Sequence, residues 1–157
     1  MAVATAAQAG AAAAWVQAFA DGWRAPAGAD AFADHFEPWL HPEIRLVQPG
    51  VPVTVGHRAF RERFARPLFA LVPDLHGTVE GWAASGDTVY VELSLAGTVG
   101  KRSVAMRSCD RITLSDGVAT ERVAYVDPLP LLAAIARAPR VWPRAINQSI
   151  SLRRRST

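Results

Sequence analysis

Residues 87–128, DTVYVELSLAGTVGKRSVAMRSCDRITLSDGVATERVAYVDP, contain the pattern that decides the fold. Over residues 88–95, aliphatic side chains alternate with polar or aromatic ones, which is typical of a strand with one buried face. Two further strands are predicted over residues 103–114 and 118–126. Because the intervening turns, at residues 97–100 and 115–117, are short, we expect these strands to form an antiparallel meander.

Helices are predicted on both sides of this region. Large apolar residues recur every four positions in three segments near the N-terminus, which predicts helices over residues 11–23, 30–37 and 57–71. Between the second and third of these helices, a strand pair is predicted around Pro49-Gly50. A strand over residues 75–84 follows the third helix, and a last helix is expected over residues 129–137. This order predicts an α+β fold: a cone-shaped α+β barrel in which three N-terminal helices pack on a curved antiparallel sheet, with a C-terminal helix and a ligand-sized cavity.

The bulk properties of the chain limit its functional class. Its 157 residues, half of them hydrophobic, predict a single globular domain over residues 1–145, followed by a solvated basic tail over residues 146–157 that contains Arg153, Arg154 and Arg155. We expect a cytoplasmic protein, with one cysteine and no internal disulfide, that binds neither membrane nor nucleic acid. Four scattered histidines and Cys109 predict no metal site.

Asp127 is the first candidate for chemistry, and two interpretations of it remain open. It ends an apolar strand immediately before Pro128. A carboxylate in this position is often the acid or base of a pocket. The alternative is a cap for the helix that begins near Leu129, because Asp before Pro is a common signal for a helix start.

Three segments resemble the nuclear-transport-factor-2-like superfamily, and in particular its SnoaL-like branch. They are RLVQPGVPVTVGHRAFRERF (45–64), DTVYVELSLAGTVG (87–100) and CDRITLSDGVATERVAYVDP (109–128). The resemblance covers roughly residues 10–140 and implies the cone fold, a small-molecule cavity and, in many members, homodimers formed through the sheet. It transfers the fold better than the reaction.

Each enzymatic branch of this superfamily implies its own site residues. In ketosteroid-isomerase-like members a basic Asp precedes the hairpin proline, where this chain has Gln48, while Asp110 matches an Asp that donates a hydrogen bond. Limonene-epoxide-hydrolase-like members imply a role for Asp127 and for Glu92, the latter in Tyr90-Val91-Glu92 at the position of an Arg-x-Asp motif. SnoaL-like cyclases imply Asp127 as acid and base, although this chain has no histidine on its late strands.

The alternation of the strands sorts the remaining candidates by face. Asp110 lies on the same face of the predicted strand as Met106 and other apolar residues, so we expect Asp110 and Met106 to face inwards. Glu92 and Tyr90 point either into the cavity or to solvent. The other predicted substrate-binding residues are Gln48, Tyr125, Trp39 and His35.

Two functions follow from these candidates. The first is an enzyme without cofactor that acts on an apolar small molecule by acid–base chemistry, such as cyclisation, isomerisation or epoxide opening. Asp127 would move the proton, with Asp110 or Glu92 as its partner. The second is a non-catalytic module of the same fold that binds a ligand or forms a dimer. A homodimer through the exposed sheet face is compatible with both.

Overall fold

The computed structural model describes residues 6–143, so the predicted basic tail lies outside the described part of the chain. This described part contains five α-helices and six strands, in the order α1 Ala6–Arg24, α2 Ala29–Phe36, β1 Leu40–Gln48, β2 Val51–Val55, α3 His57–Ala59, α4 Arg66–Leu71, β3 His76–Ser85, β4 Thr88–Val99, β5 Arg102–Ser115, β6 Val118–Val126 and α5 Leu129–Ala136. A π-helical segment, Phe60–Ala65, connects α3 to α4, so residues 57–71 are helical throughout, as predicted. None of the described helices is long and apolar enough to cross a membrane.

The six strands form one curved, unclosed sheet in the order β2-β1-β6-β5-β4-β3. The predicted α+β cone is therefore confirmed, and β3, β4, β5 and β6 form the expected antiparallel meander. One pair departs from the antiparallel arrangement, because β1 pairs with β6 in parallel. These two strands are far apart in sequence, so no short turn restricts their relative direction.

The helices cover the inner face of the sheet through an aromatic core. Trp15, Phe19 and Trp23 lie along one side of α1, and their rings contact each other and the phenylalanines of α2. Gly22 allows this close packing, since a Cβ atom there would lie 2.6 Å from the ring of Phe36. The core therefore fixes the helices against the inner face of the sheet, and a space remains between the π-helical segment and strands β5 and β6.

One β-bulge determines which residues of β6 face that space. Leu114 pairs with Ala119, whereas Thr113 pairs with Glu121, so Thr120 is an extra residue in β6. Beyond the bulge, every second residue of β6 from Arg122 onwards faces inwards, and the residues between them face outwards.

The turn between β4 and β5 also differs from the prediction. Both strands are longer than expected, and the turn lies at residues 100–101 instead of 97–100.

Candidate functional site

A cavity of about 220 Å³ lies between the inner face of the sheet and the helical segment of residues 60–71. Most of its wall is apolar, with Leu, Val, Met, Pro, Phe and Trp side chains. Four residues bring polar groups to this wall: Gln48, Arg63, Ser108 and Arg122. A mostly apolar cavity with a few polar groups is typical of a small-molecule site.

Asp110 lies directly behind this wall and is fully buried. One carboxylate oxygen, Oδ1, accepts a hydrogen bond of 2.5 Å from the Ser108 hydroxyl. The other, Oδ2, accepts from Nε of Arg122 at 2.7 Å and lies 2.6 Å from its Nη2. Both oxygens are thus engaged, so the charge of Asp110 is compensated without solvent. The two partners of Asp110, but not Asp110 itself, reach the cavity surface.

The guanidinium of Arg122 is held in one orientation from two sides. Asp110 binds it through Nε and Nη2, and its carbon Cζ lies 5.4 Å from the centre of the Phe64 ring. Its side chain is 12% exposed. Within the described residues, Nη1 has no hydrogen-bond acceptor. Because the rest of the group is fixed, this N–H group is a donor available to a ligand in the cavity.

Three of the candidates lie at the cavity or directly behind its wall. Gln48 and Met106 line the cavity. Asp110 is buried on the inner face, as its parity with Met106 indicated. The structure therefore brings together one predicted carboxylate and two predicted substrate-binding residues.

Three further candidates lie on the outer face of the sheet, away from the cavity. Glu92 is exposed and forms an ion pair with Arg107 on β5. Tyr90 and Tyr125 are exposed by 43% and 59%. Tyr125, a predicted substrate-binding residue, does not line the cavity, because the bulge at Thr120 turns it outwards. Glu92 and Tyr90 alternate with the buried Val91, which leaves them on the solvent side.

Asp127 is also outside the cavity. Its side chain is exposed, and Oδ1 accepts a hydrogen bond of 3.0 Å from the backbone N–H of Leu129, the first residue of α5. This contact supports the start of α5, as in the alternative interpretation, although Pro128 and not Asp127 occupies the N-cap position. Asp127 borders a surface groove instead of the cavity. Within the described residues, its carboxylate does not meet that of Asp110 or Glu92, contrary to expectation.

Trp39 and His35 have structural contacts instead of cavity contacts. The backbone carbonyl of Trp39 accepts a hydrogen bond from Nε1 of Trp15 at 3.0 Å. The imidazole of His35 donates through Nε2 to the carbonyl of Ala18 at 2.8 Å, and its ring packs edge-on against Phe36. Both residues join α1 to the elements that follow it.

Comparison with known proteins assigns the family. The model of the SnoaL-like domain matches residues 2–122. The chain belongs to the SnoaL-like domain family. No curated protein has significant sequence similarity to this SnoaL-like domain.

Solved structures with the same fold are numerous. A protein from Jannaschia sp. CCS1, described as a SnoaL-like polyketide cyclase, is 25% identical with a TM-score of 0.68, over 80% of this chain and 91% of that one. An LEH-like epoxide hydrolase from M. tuberculosis is 19% identical with a TM-score of 0.63, over 84% and 94%. TerC, co-crystallized with polyporic acid, is 19% identical with a TM-score of 0.69, over 80% and 98%. The last two support the fold alone.

Three residues that line the cavity of this SnoaL-like domain, Arg122, Ser108 and Trp23, are not among the candidates predicted from the sequence. Ser108 lies on the same, inward face of β5 as Asp110, so the alternation of the strand already indicated its position. Arg122 gave no such signal, because a regular hairpin without the bulge places it on the outer face. Within residues 6–143, His, Cys, Asp and Glu side chains form no cluster of three or more that suits a metal ion.

Proposed function

We propose that this protein is a cofactor-independent enzyme that cyclises or isomerises a mostly apolar small molecule in the cavity by acid–base chemistry. The observation that supports this proposal is the fixed cation of Arg122 on a mostly apolar wall, held by the buried Asp110. A fixed positive group in a dry cavity favours negative charge that develops on a substrate oxygen. This is the charge that forms when a ketone loses a proton from the neighbouring carbon.

Arg122 stabilises the anion but does not remove the proton, because a guanidinium stays charged in proteins. The pair Ser108 and Asp110 supplies the base. As Ser108 Oγ takes a proton from the substrate carbon, its own proton passes to Oδ1 of Asp110 along the existing hydrogen bond. The electron pair of the C–H bond moves to the carbonyl oxygen, which becomes an enolate beside Arg122.

The enolate then has two outcomes, and neither consumes a co-reactant. Return of the proton from Ser108 to a different carbon gives an isomer. Attack of the enolate carbon on a second carbonyl of the same molecule forms a C–C bond, and the new alkoxide takes the proton. In both outcomes Asp110 returns its proton to Ser108, so the site ends as it began.

Opening of an epoxide by water is less well supported by this geometry. That reaction needs a carboxylate to activate water and an acid to protonate the epoxide oxygen. In the described part of the chain no Asp or Glu lines the cavity, so no second carboxyl group is present to protonate the epoxide oxygen when Ser108 and Asp110 serve as the base. Among the activities named for the structural neighbours, polyketide cyclase therefore suits this site better than epoxide hydrolase.

Hydrogen–deuterium exchange at an enolisable ketone tests the proposal. With 1-tetralone in D₂O, we expect the protein to accelerate loss of the C2 proton signals in NMR spectra. Ser108→Ala should reduce this acceleration about a hundredfold, since it removes the proton carrier. Glu92→Gln, which alters an exposed carboxylate of the outer face, is the matched control and should leave the rate unchanged.

The non-catalytic ligand-binding module is the second candidate function. It is favoured by the complete burial of Asp110, which has no direct contact with the cavity. This function predicts that 1-tetralone binds to the wild-type protein but exchanges no faster than in buffer. That result, with binding shown by calorimetry, would exclude the proton-transfer mechanism.

For the oligomeric state, our proposal is a homodimer formed through the outer face of the sheet. This face carries Tyr90 and Tyr125 next to opposite charges, including the pair Arg107–Glu92 and the pair Arg111–Glu121. Such a mixture of aromatic groups and both signs of charge suits contact with a second copy of the same face. Sedimentation should give a dimer for the wild type and a monomer for Tyr125→Glu; a monomeric wild type would contradict the proposal.

A further inference from the structure

The indole N–H of Trp23 is a buried donor without an acceptor in the described residues. Trp23 is only 2% exposed. By contrast, the indole of Trp15 donates to Trp39, and that of Trp142 donates to the carbonyl of Ile135. Leaving a buried donor unpaired is costly, so its retention requires an explanation.

Trp23 lies where two cavities meet. It lines the main cavity and also a second, smaller one of about 20 Å³ among the aromatic rings of the core. Phe64 and Arg122 are the other residues that line both. The boundary therefore brings together two residues that each have an N–H group without an acceptor among the described residues, Trp23 at Nε1 and Arg122 at Nη1, and the aromatic ring of Phe64.

A water molecule fits this boundary poorly. The smaller cavity is large enough for one water, but a buried water needs two to four polar partners that include acceptors for its own hydrogens. Apart from Trp23 and Arg122, the residues around this cavity have aromatic or aliphatic side chains. The only one of these side chains with a polar group is Trp15, and its N–H already donates to Trp39. Two donors without a nearby acceptor suit a group that only accepts, such as a carbonyl oxygen.

We infer that Trp23 is a substrate-binding residue, and that the substrate places a neutral carbonyl oxygen between Nε1 of Trp23 and Nη1 of Arg122. This inference rests on the proposed function and narrows its substrate class. The charge of Arg122 is already balanced by Asp110. A carboxylate bound between these two donors would therefore add a negative charge beside a neutral ion pair and would depend on Arg63, the other cation of the cavity wall, for compensation, whereas a ketone becomes negative only during the reaction.

The indole signals of the protein, labelled with ¹⁵N, test the inference directly. The chain has five tryptophans, and Trp23→Phe identifies the signal of Trp23 by its disappearance. The probes are 1-tetralone and tetralin, which have the same ring skeleton but differ in the oxygen. We expect 1-tetralone to move the proton signal of Trp23 downfield, as a new hydrogen bond does, and tetralin to move it much less.

Affinities give a second measurement that also works if Trp23→Phe is less stable. Calorimetry should show that Trp23→Phe weakens binding of 1-tetralone about tenfold more than binding of tetralin. The anion 1-naphthoate should bind to the wild type more weakly than 1-tetralone. Equal responses of the Trp23 signal to both probes, or tighter binding of 1-naphthoate, would overturn the inference.

Failure of the inference is distinguishable from failure of the proposed function. If 1-tetralone binds and exchanges faster than in buffer while the Trp23 signal does not respond, only the role of Trp23 is lost. If 1-tetralone and tetralin both fail to bind at millimolar concentration, the cavity is not a site for such molecules, and both proposals fall.

Discussion

The carboxylate of Asp110 and the guanidinium of Arg122 form an ion pair between the neighbouring strands β5 and β6, with 2.6 Å between Oδ2 and Nη2. They are diagonal neighbours, because Asp110 pairs with Ala124 and Ile112 pairs with Arg122. The pair holds Arg122 in place at the site, but a buried ion pair does not necessarily stabilise the fold. Attraction in a buried pair is offset by the loss of hydration of both charges.

Breaking this pair should cost far more stability than replacing it. We expect Asp110→Asn to lower the free energy of unfolding by about 3–5 kcal/mol, since it leaves Arg122 without a counter-charge. The double variant Asp110→Val with Arg122→Met should recover most of this loss. Urea unfolding measures both. As the control, Glu92→Gln removes one partner of an exposed ion pair and should change the free energy of unfolding by less than about 1 kcal/mol. If Asp110→Asn lowers the free energy of unfolding by as little as Glu92→Gln does, the prediction is wrong.

Asp127 should act through the start of α5 and not through chemistry. Because its Oδ1 accepts from the N–H of Leu129, Asp127→Ala should lower the free energy of unfolding by about 1 kcal/mol. Asp127→Asn keeps an acceptor and should cost less. Both variants should retain the exchange activity toward 1-tetralone. Loss of that activity in a folded Asp127→Asn protein would reassign the proton transfer to Asp127.

The close contact between Gly97 and the segment before β3 predicts a clear contrast between two glycines of the sheet. A Cβ atom at Gly97 would lie 2.4 Å from Cγ1 of Val72 and 3.3 Å from Cα of Leu75. Gly97→Ala should therefore destabilise the protein by about 1–3 kcal/mol. Gly81 has no atom within 4 Å of such a Cβ, so Gly81→Ala should be tolerated. Thermal unfolding of both variants tests this, and equal melting temperatures would refute it.

Asp74 predicts one component of the pH dependence of stability. A hydrogen bond from the Thr98 side chain, assisted by the Thr98 backbone N–H, lowers the pKa of Asp74 below its usual value of 3.8. The folded state thus favours the ionised form, and the stabilisation is present above pH 3.8 and lost as the pH falls through the lowered pKa. The stability difference between wild type and Asp74→Asn should shrink below about pH 4. A difference that is constant from pH 7 to pH 3 would contradict this.

The strands and helices could be predicted because their patterns are local. Alternation identified β4 and the inner face of β5, and the four-residue spacing of aromatic residues identified α1. These signals also placed Asp110 and Met106 correctly. The parallel pairing of β1 with β6 could not be read in the same way, because it depends on contacts between distant parts of the chain.

The face of β6 could not be predicted for a more specific reason. A regular hairpin from the turn at Asp116-Gly117 pairs Asp110 with Val123, which puts Tyr125 and Asp127 on the cavity side. The single extra residue Thr120 shifts the pairing by one position and exchanges the two faces. Neither composition nor alternation indicates such a residue, so alternation alone assigns Tyr125 and Asp127 to the wrong side of the strand.

The same bulge predicts opposite results for two deletions in one strand. Deleting Thr120 removes the extra residue, and the remaining pairs, from Thr113 with Glu121 to Asp110 with Ala124, stay as they are. We expect this variant to fold, to keep Arg122 inwards and to bind 1-tetralone, with a melting temperature only a few degrees lower.

Deleting Val123, three positions further along, is the matched control. The ladder can then run without a bulge only if Arg122 lies opposite Arg111 on the outer face, which leaves the buried Asp110 without its cation. We expect this variant to lose cooperative unfolding and ligand binding. Circular dichroism during heating and calorimetry with 1-tetralone compare the two deletions. If both variants behave alike, the bulge does not control the position of Arg122, because only one of the two deletions changes the residues that face the cavity.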